Sequence, residues 1–163
     1  MFTIRSAKST DIARMAEIEA LCFSEAEAAS LTSFKQRFAV FPECYFVLEV
    51  DEWVVGHVNG CIYYSPELPD ALYANPTLHC SDGKYQTVFG LAVDPKFQGN
   101  GYAFALMEHF IHFSDGLGHE GMVLTCKDHL VSFYQRLGFI HQGVSNSSHG
   151  GAQWNDMLLK HAR

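Results

Sequence analysis

A turn with two glycines is the part of this sequence best suited to bind a ligand. In VFGLAVDPKFQGNGYAFALMEHF, residues 88–110, an apolar segment leads into Gly99 and Gly101, and an amphipathic pattern follows. Glycine lets the backbone approach a ligand closely and adopt a positive φ. The first amides of a helix lack internal partners and attract anions. The stretch therefore predicts a site for a phosphate-bearing ligand between a strand and a helix.

Two familiar nucleotide motifs do not fit this turn. The dinucleotide motif GxGxxG needs a third glycine where the helix meets the strand, and that position holds Phe104. A nucleoside triphosphate loop needs Gly-Lys followed by Ser or Thr, and the sequence contains no such run. Gly90, inside the preceding apolar segment, predicts in addition a bulge or a close approach to the backbone. Two interpretations of the turn remain: an ordinary connection between strand and helix, and a site for a different phosphate-bearing cofactor.

The composition predicts one globular domain over residues 1–163, since 48% of the residues are hydrophobic and 18% are charged. The formal net charge of −7 argues against a nucleic-acid partner. Five cysteines without a CxxC pair predict neither a disulfide framework nor a zinc knuckle, which fits a cytoplasmic protein. Neither a signal peptide nor an apolar run of membrane-spanning length is recognisable, so no membrane partner is expected.

Hydrophobic periodicity predicts a mixed α/β sheet. Helical spacing is clearest for the apolar residues Ile12, Met15, Ile18 and Leu21. Residues 65–83 show little periodicity and are expected to form a functional or mobile loop. The predicted elements are strand 2–6, helices 9–23 and 30–41, strands 44–50, 53–64 and 86–93, helix 101–114, strand 121–126, a short helix 130–138, and strands 139–144 and 153–160.

Two motifs together resemble those of the GCN5-related N-acetyltransferases, the GNAT superfamily. LAVDPKFQGNGYAFALM fits that family's Gln/Arg-x-x-Gly-x-Gly/Ala pattern at Gln98, Gly101 and Ala103, and FYQRLGF follows about 30 residues later. The resemblance covers essentially the whole chain and looks closest to the arylalkylamine (serotonin-type) N-acetyltransferases and their bacterial relatives. It implies a single-domain, mostly antiparallel mixed sheet in which a central parallel strand pair, 86–93 and 121–126, splays around acetyl-CoA.

The resemblance also implies how acetyl-CoA would bind. Its pantetheine arm would hydrogen-bond to the backbone of Leu91, Ala92 and Val93 like an added strand. Tyr134 matches the family's tyrosine beside the sulfur, and it would act as general acid toward the departing thiolate. The pyrophosphate would rest on the amides of Gln98, Gly99, Asn100, Gly101, Tyr102 and Ala103.

A base or a water relay must remove a proton from the acceptor amine. The vertebrate-type arylalkylamine enzymes carry a His-x-His pair where this chain has Thr87-Val88-Phe89. Glu27, in SEAEAAS, is the leading replacement, because insect and microbial relatives place a glutamate there. Glu25 and Asp128 are weaker candidates.

The chain is thus expected to transfer acetyl from acetyl-CoA to a primary amine, a small arylalkylamine or a polyamine, by direct attack in a ternary complex. Acetylation of a protein N-terminus or lysine is one alternative, and a non-catalytic acyl-CoA-binding regulatory domain is another. A homodimer is left open. No metal is expected, because His109 and His112 in HFIH fall on the exposed side of their helix without a Cys or carboxylate at ligand spacing.

Overall fold

A computed structural model describes residues 1–162. The strands are β1 (Phe2–Ser6), β2 (Tyr45–Val50), β3 (Trp53–Asn59), β4 (Ile62–Tyr63), β5 (Tyr85–Val88), β6 (Gly90–Val93), β7 (Gly121–Cys126), β8 (Ile140–Val144) and β9 (Asn155–Lys160). The α-helices are α1 (Ile12–Cys22), α2 (Leu31–Val40), α3 (Ala71–Ala74), α4 (Tyr102–Gly116) and α5 (Val131–Arg136). None of the helices within residues 1–162 is long and apolar enough to cross a membrane.

The described residues form two compact units, each with its own sheet. The first unit comprises Met1–Gly60 and Gly90–Phe110. Its sheet has the order β1-β2-β3-β6, and each neighbouring pair is antiparallel. Asp51 and Glu52 join β2 to β3 with φ values of 51° and 65°, as in the two-residue turns whose twist matches that of a hairpin. The predicted strands 44–50 and 53–64 are therefore joined by a tight hairpin turn.

The second unit comprises Cys61–Phe89 and the chain from Ile111 onward. Its sheet has the order β4-β5-β7-β9-β8. β5 and β7 are parallel from Tyr85, opposite Gly121, to Val88, opposite Leu124, and the other pairs are antiparallel. The predicted α/β class with one parallel strand pair is confirmed.

Two segments predicted as single strands are in fact divided between the sheets. The predicted strand 86–93 breaks at Phe89, so that β5 pairs with β7 whereas β6 pairs with β3. The predicted strand 53–64 breaks after Asn59, and its last residues join β5 as β4. Each break lies beside a glycine, Gly60 in one segment and Gly90 in the other, that the strand prediction placed inside a strand. The parallel pairing expected over 86–93 consequently ends at Val88.

The buried face of α1 differs in one position from the predicted one. Ile12, Met15 and Ile18 are buried, but Leu21 is 54% exposed. Glu19 is buried instead, with 5% of its surface exposed. Positions 15 and 19 are four residues apart and therefore lie on the same side of a helix. A carboxylate thus occupies a core-facing position of α1.

The face predicted for α4 is largely confirmed. Leu106, Met107 and Phe110 are fully buried, and His112 is exposed. The predicted exposure of His109 is wrong: its ring is half-buried, with its centroid 4.6 Å from that of Phe46. An imidazole has an apolar ring face that packs well against an aromatic side chain.

Candidate functional site

One side of β6 is an open sheet edge within the described residues, because β3 pairs with its other side. The amide of Asp94 donates to the carbonyl of Val55 on β3 at 2.7 Å. Backbone groups alternate along a strand, so those of Ala92 also face β3, and those of Leu91 and Val93 face the open edge. An extended ligand can add here as a further strand would. Of the three residues predicted to bind pantetheine, Leu91 and Val93 direct their backbone groups to that edge.

The side chain of Gln98 turns back onto β6. Its Nε2 donates to the Val93 carbonyl at 3.0 Å, and the Cys22 thiol lies 3.1 Å from the same oxygen. These contacts fix the position at which the glycine turn leaves the strand. The side chain of Gln98 therefore shapes the turn, and its backbone amide is the group left to contact an anion.

The two glycines of the turn have a conformation that other residues rarely adopt. Gly99 has φ of 84° and Gly101 has φ of 80°. A Cβ atom built on either residue would meet no atom within 4 Å, so the turn is open on that side. Between them, Asn100 donates from Nδ2 to the Phe97 carbonyl at 2.9 Å and closes the turn. The sequence prediction of a positive-φ turn is confirmed.

The first turn of α4 presents backbone amides next to these glycines. The amide of Ala105 donates to the Gly101 carbonyl at 3.0 Å. The amides of Tyr102, Ala103 and Phe104 precede that bond and lie at the positive end of a 15-residue helix. An anion such as a pyrophosphate is therefore favoured at this point.

Asp94 holds the segment between β6 and the glycine turn. Its carboxylate accepts from the Lys96 amide at 3.0 Å and from the Arg14 guanidinium at 2.8 Å. The Lys96 amide, and next the Arg14 bond, lower the pKa of Asp94 below its usual range. The Arg14 guanidinium also lies 4.4 Å from the ring centroid of Trp53. These contacts tie the turn to α1 and β3.

Asp94→Asn is expected to destabilise the protein by about 1–2 kcal/mol at neutral pH, because the amide loses the charge that pairs with Arg14. Since the native pKa is lowered, this contribution is complete above the unfolded pKa of about 4 and is lost as the pH falls through the native value. Urea unfolding of both proteins should show a difference that shrinks on acidification. Asp82→Asn, an exposed position, is the control. A difference independent of pH would contradict the ion pair.

Tyr134 lies in α5 of the second unit and is only 6% exposed. Its hydroxyl makes no hydrogen bond within the described residues, while its ring packs edge-on against Phe133 and Phe139. Burial, with smaller contributions from Cys126 and Tyr73, raises the pKa of the phenol well above its usual value. The hydroxyl is therefore protonated throughout the physiological pH range and can donate a proton.

The three carboxylates considered as bases lie in different surroundings. Glu27 and Glu25 belong to the loop between α1 and α2, where Glu27 is half-buried and Glu25 is exposed. Asp128 accepts a hydrogen bond from Asn155 Nδ2 at 2.7 Å, so it has a structural partner in the second unit. Thr87 is buried and donates to the Cys61 carbonyl at 3.0 Å.

A buried polar cluster in the first unit was missed by the sequence reasoning. It consists of Glu19 on α1 with His57 and Asn59 on β3, and it lies against Gly90 on β6. Glu19 Oε1 is 3.5 Å from His57 Nε2, and Asn59 Nδ2 is 3.4 Å from His57 Nδ1. The one sequence feature that could have indicated this cluster was Glu19, a carboxylate at a core-facing position of α1.

No group of three or more His, Cys, Asp or Glu side chains within residues 1–162 is arranged to hold a metal ion.

Comparison with known families identifies the chain. Residues 12–139 match the model of the acetyltransferase (GNAT) family, which is most of the chain. The protein therefore belongs to the GNAT acetyltransferase family, whose activity is acyl transfer from a coenzyme A thioester. None of the curated sequences compared with the chain matches it significantly.

Solved structures with the same fold have low sequence identity to the chain. The loading GNATL domain of CurA from Lyngbya majuscula has a TM-score of 0.84 at 16% identity, with 98% of each chain covered. GphF GNAT-like decarboxylase in complex with isobutyryl-CoA has a TM-score of 0.82 at 19% identity, covering 97% of this chain and 98% of that one. The ribosomal-protein-S18-alanine N-acetyltransferase from Escherichia coli has a TM-score of 0.75 at 21% identity, with 100% and 96% covered. At these identities the likeness establishes the fold.

Proposed function

We propose that this protein is an N-acetyltransferase that transfers acetyl from acetyl-CoA to a small primary amine, an arylalkylamine or a polyamine. The observation that carries this proposal is the continuity of an open strand edge at Leu91 and Val93 with the glycine turn that opens α4. Coenzyme A needs both features, because its pantetheine arm has amide groups that pair like a strand and its pyrophosphate needs amide donors.

Coenzyme A binding is assigned to chain segments that follow one another directly. The pantetheine amides would pair with the backbone of Leu91 and with the amide of Val93, with Ala92 between them. The Val93 carbonyl already accepts from Gln98 Nε2. The pyrophosphate would accept from the amides of residues 98–103. The open space beside Gly99 and Gly101 supports this placement, because phosphate oxygens can reach the backbone without meeting a side chain.

The chemical step requires a neutral amine and a protonated leaving group. An aliphatic amine has a pKa near 10, so about one molecule in a thousand is neutral at pH 7, and a base that removes the proton contributes roughly 10²–10⁴ in rate. Glu27 is the candidate base implied by the sequence resemblance to other GNAT enzymes. Tyr134 is proposed to protonate the thiolate, which its unpartnered hydroxyl and raised pKa support.

Two further activities compete with small-amine acetylation. The S18-alanine enzyme acetylates a protein, so a peptide acceptor is the first alternative. GphF is a decarboxylase, so removal of a carboxylate from an acyl-CoA is a second reaction that this fold supports. A non-catalytic acyl-CoA-binding domain would bind coenzyme A without turnover.

A thiol-release assay with acetyl-CoA separates these possibilities. The acceptors are phenethylamine, spermidine, a set of amino acids and a peptide with a free N-terminus, and malonyl-CoA alone tests decarboxylation. Release with phenethylamine or spermidine, together with the mass of the N-acetyl product, is the expected result. Release only with the peptide, decarboxylation alone, or release no faster than hydrolysis with every acceptor would each overturn the proposal.

A further inference from the structure

Resting on the proposed function, we propose that Glu19, oriented by His57, accepts the proton of the acceptor amine through a water molecule in front of Gly90. This assignment places a proton acceptor on α1 of the first unit. It names a buried dyad on α1 and β3, whereas Glu27 belongs to the loop that follows α1.

The cluster contains buried polar atoms without a hydrogen-bond partner among the described residues. They are Glu19 Oε1, His57 Nε2 and Asn59 Oδ1. The side chains of His57 and Glu19 are 0% and 7% exposed. Leaving such atoms unpaired costs free energy unless water or a ligand satisfies them. Three such atoms in one cluster indicate a polar site that is used for more than packing.

The hydrogen bonds of the cluster leave one carboxylate oxygen of Glu19, Oε1, available to accept a proton. Glu19 Oε2 accepts from the amide of Ala29 at 3.0 Å, which leaves Oε1 for another partner. Asn59 Nδ2 is an amide donor facing Nδ1 of His57, so the neutral ring carries its proton on Nε2, which faces Oε1 at 3.5 Å. The Phe34 ring stands edge-on at 5.5 Å and holds the imidazole in place. His57 is therefore a positioning residue for Glu19.

Gly90 explains how a proton can reach this buried carboxylate. A Cβ atom on Gly90 would lie 3.3 Å from Glu19 Oε1, 3.5 Å from Asn59 Nδ2 and 3.6 Å from His57 Cε1. The cluster thus faces the backbone of β6 at the residue before Leu91, where the open edge begins. A glycine there leaves room for a water molecule that a methyl group would displace. A water in this position has the two or more polar partners that it needs.

Cys22 is a titratable group close to Glu19, and its sulfur has another partner. Cys22, one turn along α1, has a thiol whose pKa is raised mainly by burial, with the Glu19 charge contributing. Its sulfur is engaged with the Val93 carbonyl. Glu27 lies in the same loop as Ala29, so both Glu19 and Glu27 must be tested.

The acceptor enters as R–NH3⁺ and loses one proton through water to Glu19 Oε1. The freed nitrogen lone pair attacks the thioester carbonyl carbon and forms the C–N bond; the C–S bond breaks, its electron pair leaves on sulfur, and Tyr134 protonates the thiolate. A second proton from the former ammonium restores the phenol through solvent, and Glu19 releases its proton to solvent. The products are the N-acetyl amine, the free thiol of coenzyme A and one proton.

Glu19→Gln is the first test, because the amide oxygen can still accept from Ala29 while the basic group is lost. We expect kcat/KM for phenethylamine at neutral pH to fall at least tenfold, with coenzyme A affinity unchanged. Its acidic limb should move up toward the pKa of the amine, because only the neutral amine can then react. With the weakly basic β,β-difluoro analogue, which is largely neutral at assay pH, the loss should be under threefold. A structural defect would slow both amines equally. Glu17→Gln, an exposed position on the same helix, is the control.

Gly90→Ala is the second test, and it keeps both side chains of the dyad while adding a methyl group 3.3 Å from Glu19 Oε1. The backbone is compatible with alanine and Glu19 needs to shift by only a few tenths of an ångström, so thermal unfolding should show a folded protein. Turnover should fall at least fivefold as the methyl displaces the water. Gly116→Ala, where an added Cβ meets nothing within 4 Å, is the matched control. Normal turnover of Gly90→Ala, or a Glu19→Gln enzyme that keeps the wild-type pH profile while the acidic limb of Glu27→Gln is shifted, would overturn the inference. A wild-type protein that acetylates no amine would instead refute the proposed function.

Discussion

Tyr134→Phe is expected to lower turnover at least about tenfold while the affinity for acetyl-CoA stays nearly unchanged. The phenol would supply the proton that the departing thiolate needs, and phenylalanine cannot supply it. The hydroxyl has no hydrogen-bond partner within the described residues, so its removal leaves no group unsatisfied and should not destabilise the fold. Steady-state kinetics, isothermal titration with coenzyme A and thermal unfolding measure the three quantities.

The same tyrosine predicts part of the pH dependence. Because burial raises the pKa of Tyr134 above its usual value near 10, the phenol keeps its proton through the alkaline range used in assays. Turnover should therefore show no decline from loss of this proton between neutral pH and about pH 10. Tyr85→Phe, which removes a hydroxyl bonded to Glu120 at 2.9 Å, is the control. Unchanged turnover in Tyr134→Phe would rule out its role as general acid.

Gly101→Ala is expected to weaken coenzyme A binding at least tenfold. An alanine at φ of 80° is strained by roughly 1–2 kcal/mol, and relief of that strain rotates the amides that face the pyrophosphate. Isothermal titration with coenzyme A measures the loss. Pantetheine, which lacks the pyrophosphate, should bind the wild-type protein and Gly101→Ala equally weakly.

Gly118 provides a control with the same backbone requirement. Its φ is 78°, and an added Cβ would meet no atom within 4 Å, as at Gly101. Gly118→Ala should therefore lose a similar amount of stability but keep its affinity for coenzyme A. Equal affinity losses in both variants would mean that unfolding, rather than the turn, controls binding.

The fold was largely predictable from the sequence, because hydrophobic residues recur at a clear helical or strand spacing in most of its elements. The β2–β3 hairpin and α4 were expected at nearly their observed positions, since turn residues and apolar spacing mark them. The divisions at Phe89 and after Asn59 were not predicted. In each case one segment of strand-like sequence serves two different sheets, and pairing partners distant in sequence decide where one strand ends.

The site was predictable where backbone conformation depends on residue type. Gly99 and Gly101 indicated positive φ, and the structure has it. Glu19 and His57 were not identified, because their proximity depends on α1 packing on β3, which no local pattern encodes. A carboxylate among the buried residues of an amphipathic helix was the one sign of this cluster.

Assignment of coenzyme A to the β6 edge and the glycine turn is tested most directly by amide NMR of the protein titrated with coenzyme A. The largest saturable shifts are predicted at Leu91, Val93 and residues 99–103. Gly118, with the same conformation as Gly101, should not shift. Shifts confined to other segments, or no saturable shift with coenzyme A, would contradict the assignment.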